Sequence, residues 1–369
     1  MNLLRQNCPV HFDPEHGVWI VSQYRDVATV LRDSRQFSAA ILGEDSFAIR
    51  SPQTGCLLPR EDTLLASDAT PHTRLRHHIA GFFTRQRLTA YALVARSALR
   101  EIVNRVMPQG VCDVVHDVAF PVASRVMTEL LGLAPDRCPD VARWMTVCGQ
   151  TNARSRPPWL LTAFDDVLRE LWSAISDESV RCETPRCFAF GANGSMSAAQ
   201  ALDACVTIMK GAADTTSHLT GNVLLALHRD PELSGRLRAA HHLIPACIEE
   251  SLRYDSPVQM TLRQTTSETE LADTVLPART RVLALIGSAN RDHTVFREGD
   301  HFILNRPRSV HLAFGGGPHQ CPGAALARLQ VSLILEALLA IPAMHVVPQS
   351  LEESPQTGLR GPRRLLVAW

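Results

Sequence analysis

A glycine-rich loop that runs directly into an apolar helical segment constrains this chain of 369 residues more than any other feature. Residues 314–323 have the sequence FGGGPHQCPG, and a predicted helix follows at once. Backbone N–H groups converge at the N-terminal end of a helix and stabilise a thiolate there. Gly315, Gly317 and Gly323 allow backbone conformations closed to other residues and let a flat ligand lie against the main chain. We therefore expect Cys321 to be an anion that the loop presents to a large ligand.

The spacing in this loop, F-G-x-G-x-H-x-C-x-G, resembles the signature of the cytochrome P450 haem-thiolate proteins. The residues that match it are Phe314, Gly315, Gly317, His319, Cys321 and Gly323. The resemblance implies that Cys321 is the proximal ligand of haem iron, where an axial thiolate favours O–O cleavage. It also implies a mainly α fold with a minor β region, in which residues 1–369 form one prism-like domain around the haem.

Charge and cysteine spacing exclude several classes of protein. The 37 Lys and Arg residues equal the 37 Asp and Glu residues in number, so a nucleic-acid or anionic-membrane partner has no support. We expect no apolar run of the ~18–20 residues that a membrane helix needs and no signal peptide, hence a cytoplasmic protein. The ten cysteines include no C-x-x-C pair, and Cys182 and Cys187 are the only close couple. This pattern argues against a zinc site and a disulfide framework.

A helix is predicted to begin within residues 68–79, with Thr70 as its N-cap and Pro71 at its first position. His72 and Arg76 are four residues apart and share one face of this helix. The resemblance implies that this H-x-x-x-R pair donates hydrogen bonds to a haem propionate, because a buried carboxylate requires partners. The alternative is a solvated basic helix face.

Other basic residues extend this prediction. Arg263 and His319 match further propionate partners in the family. Arg74 and His77 lie on other faces of the predicted helix and are candidates for contact with an acidic redox partner.

The longest predicted helix starts with a capping box at Ser197 and Gln200 and continues to about Leu227. Inside it, residues 211–216 have the sequence GAADTT, which is similar to the family's distal motif except that Ala212 replaces a glycine. The resemblance implies that Asp214 and Thr215 relay protons to iron-bound dioxygen. The alternative is structural: Asp214 pairs within the fold, and the Thr215 hydroxyl bonds back to the helix.

Lys210, the only lysine in the chain, lies one turn before Asp214. Three interpretations of it are open: an i,i+4 pair with Asp214, recognition of an acceptor or carboxylate on the substrate, and a side chain whose ammonium extends along the wall to water. By register with the family, further candidate substrate contacts are Ala213, Val258 and Met260.

Glu250 and Arg253 are three residues apart and match the family's E-x-x-R motif, whose third member is matched by Arg306. A carboxylate held by two guanidinium groups forms a bidentate network that can fix the loop before the haem ligand. We expect these three residues to be structural.

The rest of the chain provides the frame. Pro157 and Pro158 divide one helical segment into the two helices that correspond to the family's lid over the substrate channel, and we expect a contraction within residues 172–194. The other predicted elements are a strand at 17–21, a helix at 24–31, a loop at 43–60, helices at 86–107, 111–133 and 138–178, and short strands within 270–287 and 342–368.

The resemblance implies a monooxygenase with haem b ligated by Cys321, O2 as co-substrate, and electrons from NAD(P)H through a separate ferredoxin or flavodoxin with its reductase. The expected substrate is a small organic molecule of natural-product biosynthesis, free or bound to a carrier protein. One alternative is oxidative coupling, cyclisation or desaturation without oxygen insertion. Another is a haem-binding protein without turnover, against which the Asp214–Thr215 pair argues.

Overall fold

The computed structural model describes residues 2–43, 49, 54–59, 62–151, 157–181, 196–307, 310–352 and 358–369. The helices are α1 (Asn2–Asn7), α2 (Tyr24–Arg32), α3 (Ala69–Ala80), α4 (Arg85–Val106), α5 (Phe120–Leu130), α6 (Cys138–Gln150), α7 (Pro158–Arg181), α8 (Ala198–Ala213), α9 (Thr215–Arg229), α10 (Pro231–Ala239), α11 (Ile244–Tyr254), α12 (Ile286–Ala289) and α13 (Ala324–Leu339). The strands are β1 (Val10–Asp13), β2 (Val18–Val21), β3 (Phe37–Ser38), β4 (Val111–Asp113), β5 (Thr261–Thr265), β6 (Thr269–Leu271), β7 (Thr274–Leu276), β8 (Arg281–Ala284), β9 (His345–Val346) and β10 (Leu366–Ala368). The predicted fold class, mainly α with a minor β region, is confirmed.

The largest sheet among the described residues has the strand order β1-β2-β8-β5-β3. Strands β2 and β8 are parallel, and the other neighbours are antiparallel. A second sheet has the order β4-β10-β9, and β6 pairs with β7. Strand β5 matters for the site because it carries Arg263.

Two hydrophobic cores support these layers. The larger core lies among the helices and contains the buried faces of α4, α5, α6, α8, α9, α11 and α13. The smaller core joins the five-stranded sheet to α2 and α12. The candidate site residues lie on chain segments around these two cores, including α3, α8, α9, α11 and the loop before α13.

The prediction that no run is apolar enough to span a membrane is wrong for one segment. Gly317–Leu339 is long and apolar enough by length and composition. In the structure α13 packs against α4, α9 and α11, and its residues Val331, Ile334 and Leu335 are fully buried. Apolar surface on several sides is what a helix in the middle of a core requires.

The predicted long helix is interrupted at Asp214. Its N-terminal capping box is present: Ser197 Oγ accepts from the Gln200 N–H at 3.2 Å, and Gln200 Oε1 accepts from the Ser197 N–H at 3.0 Å. At Asp214 the helix is interrupted by a turn residue with φ −108° and ψ −33°, so α8 ends and α9 begins. The Thr215 hydroxyl donates to the Gly211 carbonyl at this break, an arrangement that competes with the backbone ladder and bends helices.

The predicted helix over 111–133 is wrong at its start. Residues Val111–Asp113 form strand β4, and a π-helical segment, Val114–Ala119, precedes α5. The Asp113 carboxylate accepts from the N–H groups of Val115 and Leu365 at 3.0 and 3.1 Å. These bonds tie the segment to β10 and compete with a helical start.

Several other predictions can be placed. The strand before α2, α2 itself, the division between α6 and α7, and the short strands in both C-terminal regions are confirmed. The predicted loop at 43–60 falls largely outside the described residues, as do the expected contraction and the Cys182–Cys187 couple. The eight cysteines within the described part of the chain are free thiols.

Candidate functional site

The loop that carries Cys321 folds back on itself before α13 begins. The Cys321 N–H donates to the Phe314 carbonyl at 2.9 Å, and the Gln320 N–H donates to the Gly317 carbonyl at 3.1 Å. Gly317 has φ +66°, and a Cβ there would lie 2.7 Å from the Arg32 Cα, so only glycine fits between the loop and α2.

The expectation of special backbone geometry holds for Gly315, where φ is +72°, but is wrong for Gly323. Gly323 has φ −83° and ψ 6°, a conformation with negative φ that occurs in type I turns and does not require glycine. Its N–H instead acts on the Cys321 sulfur.

Burial of Cys321 acts against the expectation that the loop makes this thiol an anion. Burial raises the pKa of the Cys321 thiol, and this effect outweighs the Gly323 N–H and the positive charges of Arg76 and Arg328, which lower it. The side chain is nonetheless reachable from the surface. A thiol in this environment becomes a thiolate when a metal ion coordinates it, because coordination deprotonates a ligating thiol.

A cluster of cationic and imidazole side chains lies beside this loop. Arg76, from α3, donates through Nη2 to the carbonyl of Gln320, which directly precedes Cys321. The rings of His72 and His319 lie with centroids 4.0 Å apart. Arg263 of β5 is 4% exposed and donates to the Leu262 carbonyl at 2.8 Å and to Thr261 Oγ1 at 3.2 Å. The structure thus brings His72, Arg76, Arg263 and His319 into one neighbourhood.

One carboxylate in the described part of the chain serves this cluster. Asp68 Oδ1 accepts from His319 Nε2 at 3.4 Å, while Oδ2 accepts from the Ser38 hydroxyl and, at 3.0 Å, from the Ala39 N–H. Burial opposes ionisation of Asp68, but these hydrogen bonds prevail and hold its pKa below the ordinary value. Sequence reasoning assigned Asp68 no role, although an acid directly before an H-x-x-x-R helix is a usable signal.

Asp68 also corrects the predicted start of α3. The N-cap position belongs to Asp68, not to Thr70, because the helix begins at Ala69. The Asp68 side chain makes no capping hydrogen bond, since its oxygens bind His319, Ser38 and Ala39. Pro71 is therefore the third helical residue, where its missing N–H is still one of the four unpaired donors of a helix start.

The electrostatics of the cluster show an excess of cationic groups. Burial, followed by the charges of His319 and Arg76, lowers the pKa of His72 to about 4. Burial lowers the pKa of Arg263 to about 10, with Asp68 acting in the opposite direction. Such groups are stabilised by additional carboxylates at hydrogen-bonding distance. A flat ligand that bears two carboxylates and a metal ion with affinity for sulfur fits this set of donors and Cys321.

A second arginine network lies at the end of α11 and is closed on itself. The Glu250 carboxylate accepts from Arg253 Nε and Nη2 at 2.9 and 2.7 Å and from Arg306 Nε at 3.1 and 3.2 Å. Arg253 also donates to the carbonyls of Asn290, Gly299 and His301 at 2.7–2.9 Å. Arg253 is 0% and Glu250 4% exposed. The three residues predicted as a network therefore meet, and they tie α11 to the segment that leads to the Cys321 loop.

The break between α8 and α9 presents the predicted acid–alcohol pair. Both Asp214 and Thr215 are half-buried. A Cβ on Gly149 of α6 would lie 3.0 Å from Asp214 Oδ2, so that glycine leaves room for the carboxylate. Thr215 makes the back-bond to Gly211 that the structural alternative requires. This geometry is compatible with both predicted roles, since a hydroxyl can rotate to another acceptor.

Lys210 has an electrostatic partner that the sequence interpretation missed. Asp203 lies seven residues earlier on α8, hence on the same helix face, and is 7% exposed. Burial raises the pKa of Asp203 to about 6, while the Leu64 N–H, at 2.6 Å from Oδ2, and the charge of Lys210 lower it. Lys210 also acts on Cys148 of α6, whose pKa burial raises to about 12. The i,i+7 spacing of Asp203 and Lys210 was the available signal.

The remaining candidate substrate contacts lie in different places. Ala213 is buried in the large core, where a Cβ on Gly149 would approach its Cβ to 3.5 Å. Val258 forms an isolated β-bridge with Leu359 and packs against the smaller core. Met260 lies against Gly358. Their roles toward a substrate stay predictions.

No group of three or more metal-binding side chains exists among the residues that the structure describes. A single protein ligand suffices when the other positions around the metal belong to a macrocycle, as in haem.

Known proteins resemble part or all of this chain. A profile of the family described as Cytochrome P450 matches residues 187–364. Cytochrome P450 107B1 of Saccharopolyspora erythraea is 28% identical over 344 residues, which cover 87% of this chain and 81% of that protein. The solved structure of CYP109Q5 from Chondromyces apiculatus is 30% identical, with a TM-score of 0.88 over 100% of this chain and 93% of that chain. The structure of P450BioI in complex with hexadec-9Z-enoic acid ligated acyl carrier protein is 25% identical, with a TM-score of 0.86 over 100% of this chain and 97% of that chain.

The fold, the cysteine loop and these likenesses agree with one another. This chain belongs to the cytochrome P450 family, as a haem-thiolate monooxygenase that takes its electrons from redox partner proteins.

Proposed function

We propose that Cys321 is the ligand of the iron of haem b and that the propionates bind His72, Arg76, Arg263 and His319. The observation that carries this proposal is the cluster of four buried or half-buried donors beside the Cys321 loop, of which His319 binds the carboxylate of Asp68. Residues 1–369 then form one haem-enclosing domain, in which Glu250, Arg253 and Arg306 hold the loop that carries the ligand.

Bound haem supplies the activation of O2, so that one oxygen atom enters the substrate and the other leaves as water with two protons and two electrons. Asp214 takes up protons at the α8–α9 break, and the Thr215 hydroxyl passes them on once it leaves the Gly211 carbonyl. Helix α6 packs against α8 beside this path.

The electrons come from NAD(P)H through a ferredoxin or flavodoxin and its reductase in the cytoplasm. Arg74 and His77 are exposed on α3, two and one residues from Arg76, and suit an acidic redox protein.

The substrate is a small organic molecule of a natural-product pathway that bears an acceptor or an acidic group. Lys210 supports this assignment because it is the only lysine in the chain and is half-buried one turn before the α8–α9 break. The P450BioI structure, in which the substrate is attached to acyl carrier protein, supports a carrier-bound acyl group as one member of this class.

The first experiment is a haem spin-state titration of the wild type and Lys210→Met with fatty acids, amines and neutral polycyclic compounds. We expect the fatty acids to displace iron-bound water in the wild type and to lose most of that effect in the variant. An equal response of both proteins would assign Lys210 to the Asp203 network alone. Asp203→Asn is the matched control, because it keeps the bond to the Leu64 N–H and removes the negative charge next to Lys210.

Product analysis then tests the reaction. Turnover with a surrogate ferredoxin should give a product that gains one oxygen atom, with label from 18O2. A product that loses two hydrogen atoms and gains no label would indicate coupling or desaturation instead.

A further inference from the structure

Arg328 of α13 is held between an aromatic ring and a carboxylate on the cysteine side of the site. Its guanidinium carbon lies 4.5 Å from the centroid of the Phe314 ring, well within the ~6 Å at which a cation interacts with a π face. Its Nε and Nη2 donate to the two oxygens of Glu249, at 2.5 and 2.8 Å. This bidentate contact fixes the plane of the guanidinium as well as its position.

Glu249 is itself held by His311. His311 Nδ1 accepts from the Ala313 N–H at 3.3 Å, so in the neutral ring Nε2 carries the proton and donates to Glu249 Oε2 at 3.2 Å. The His311 side chain is 5% exposed. Burial opposes the charge of Glu249, but the hydrogen bonds from Arg328 and His311 prevail and lower its pKa to about 2. Glu249 is therefore an anion with two fixed partners at neutral pH.

This chain of contacts ends at the Cys321 loop. Phe314, on which Arg328 lies, accepts through its carbonyl from the Cys321 N–H at 2.9 Å. The Arg328 charge is close enough to Cys321 to act on its sulfur. Without an anchor a half-exposed arginine would turn toward water, because ordering a long charged side chain costs conformational entropy.

We propose that Glu249 is a positioning residue, which holds the Arg328 guanidinium on the Phe314 ring and thereby fixes a positive charge that favours reduction of the iron bound at Cys321. The inference rests on the proposed role of Cys321 as the haem ligand. Reduction adds an electron, and a fixed cation nearby stabilises the state that carries it.

The sign of one variant separates positioning from a direct charge effect. Glu249→Gln removes a negative charge, which by itself raises the reduction potential. If Glu249 acts by holding Arg328, the same change releases the cation into water and lowers the potential. We expect Glu249→Gln to lower the equilibrium constant of one-electron reduction several-fold relative to the wild type, where tenfold corresponds to about 59 mV.

The measurement is the midpoint potential of haem-loaded wild type, Glu249→Gln, Arg328→Met and the double variant, by spectroelectrochemistry at constant pH and ionic strength. We expect Glu249→Gln to match the double variant, because a released Arg328 contributes little, and Arg328→Met to lie lowest, because Glu249 is then an unpaired anion. A potential for Glu249→Gln above or equal to that of the wild type would refute the proposal.

Glu336→Gln is the matched control. Glu336 also lies on α13 and pairs with Arg96 at 3.5 Å, with both side chains at least 36% exposed. The midpoint potential of Glu336→Gln should equal that of the wild type. The spectrum of the ferrous carbon monoxide complex reports separately on the iron ligand. If the wild type lacks the band of a thiolate ligand, the assignment of Cys321 has failed. If that band is present but the midpoint potential of Glu249→Gln is not lowered, only the positioning role of Glu249 is refuted.

Discussion

Two arginine clusters in this protein differ in how their charges are satisfied. In the first, Glu250 binds both Arg253 and Arg306, and carbonyl groups take the remaining Arg253 donors. In the second, Asp68 binds His319 but neither Arg76 nor Arg263, whose acceptors within the described residues are carbonyl and hydroxyl oxygens.

The difference supports two distinct proposed roles. In the Glu250 cluster both guanidinium groups bind a carboxylate of the protein itself, as expected of a network that stabilises the fold. The cluster around Asp68 has donors in excess, and the burial that lowers the pKa of Arg263 and His72 is relieved when acidic groups approach. Buried charge that is paired internally indicates architecture, whereas buried charge that lacks a carboxylate partner indicates a binding site for an anion.

Glu250→Gln is the most severe test of whether the Glu250 cluster stabilises the fold. The change keeps the size of the side chain but leaves two buried guanidinium groups without a counter-charge. We expect a loss of about 3–5 kcal/mol in the free energy of unfolding. Urea unfolding followed by circular dichroism measures it, and soluble yield provides a second readout if the variant folds poorly.

The control for this change is Glu352→Gln. Glu352 pairs with Arg363 at 3.8 Å, and both side chains are more than 60% exposed. Its removal should alter the free energy of unfolding by less than about 0.5 kcal/mol, as expected of an exposed pair. Equal midpoints for the two variants would show that the Glu250 network is not structural.

The same contrast explains which parts of the site could be predicted from the sequence. Glu250 with Arg253, and the residues around Cys321, belong to short contiguous motifs, which the resemblance to the family could locate in the sequence. Asp68 binds His319 from a segment 251 residues away, and Asp203 reaches the backbone of Leu64 across 139 residues. Contacts of that range depend on the packed fold, which spacing along the chain does not specify.

The break at Asp214 illustrates a second limit. Local sequence favours one continuous helix, since the capping box and the apolar period extend past this point. The interruption depends on the Thr215 back-bond and on the space that Gly149 of α6 leaves for the Asp214 carboxylate. A local propensity was therefore overridden by packing against another helix.

A second prediction concerns His72 in the cluster around Asp68 and the pH dependence of the free energy of unfolding. His72 is 3% exposed, and its pKa of about 4 in the folded protein lies below the ordinary value of 6.5. The folded state therefore resists protonation of His72: the contribution of this residue to stability is fully present above pH 6.5, and up to about 2–3 kcal/mol of it is lost as the pH falls to 4. His72→Asn should lack this loss, which the pH dependence of urea unfolding of the haem-free protein measures.

Haem and an exposed histidine provide the controls for that experiment. With haem bound, acidic groups beside His72 should reduce the loss, because they stabilise its charged form. His345→Asn, at an exposed position of β9, should follow the wild-type curve. If the unfolding free energy of His72→Asn follows the wild-type dependence on pH, His72 is not the group that resists protonation. The excess of cationic groups in this cluster is then smaller than the geometry indicates.

A matched pair of Arg→Met variants compares the two clusters directly, and one of the pair, Arg263→Met, should have the smallest effect on the free energy of unfolding. Arg306 and Arg263 are both nearly buried, but only Arg306 contacts a carboxylate within the described residues. Arg306→Met should clearly destabilise the haem-free protein. Arg263→Met should change the free energy of unfolding by less than about 1 kcal/mol, or raise it. The reason is that an apolar group of similar volume replaces a buried charge that has no carboxylate partner within the described residues. Haem retention should show the opposite order: loss of a charge-assisted hydrogen bond worth about 1.5–3 kcal/mol should speed haem transfer from Arg263→Met to excess apomyoglobin by about ten-fold or more. If Arg263→Met destabilised the haem-free protein as much as Arg306→Met and retained haem normally, the two clusters would be alike, and the assignment of the second to an acidic ligand would fail.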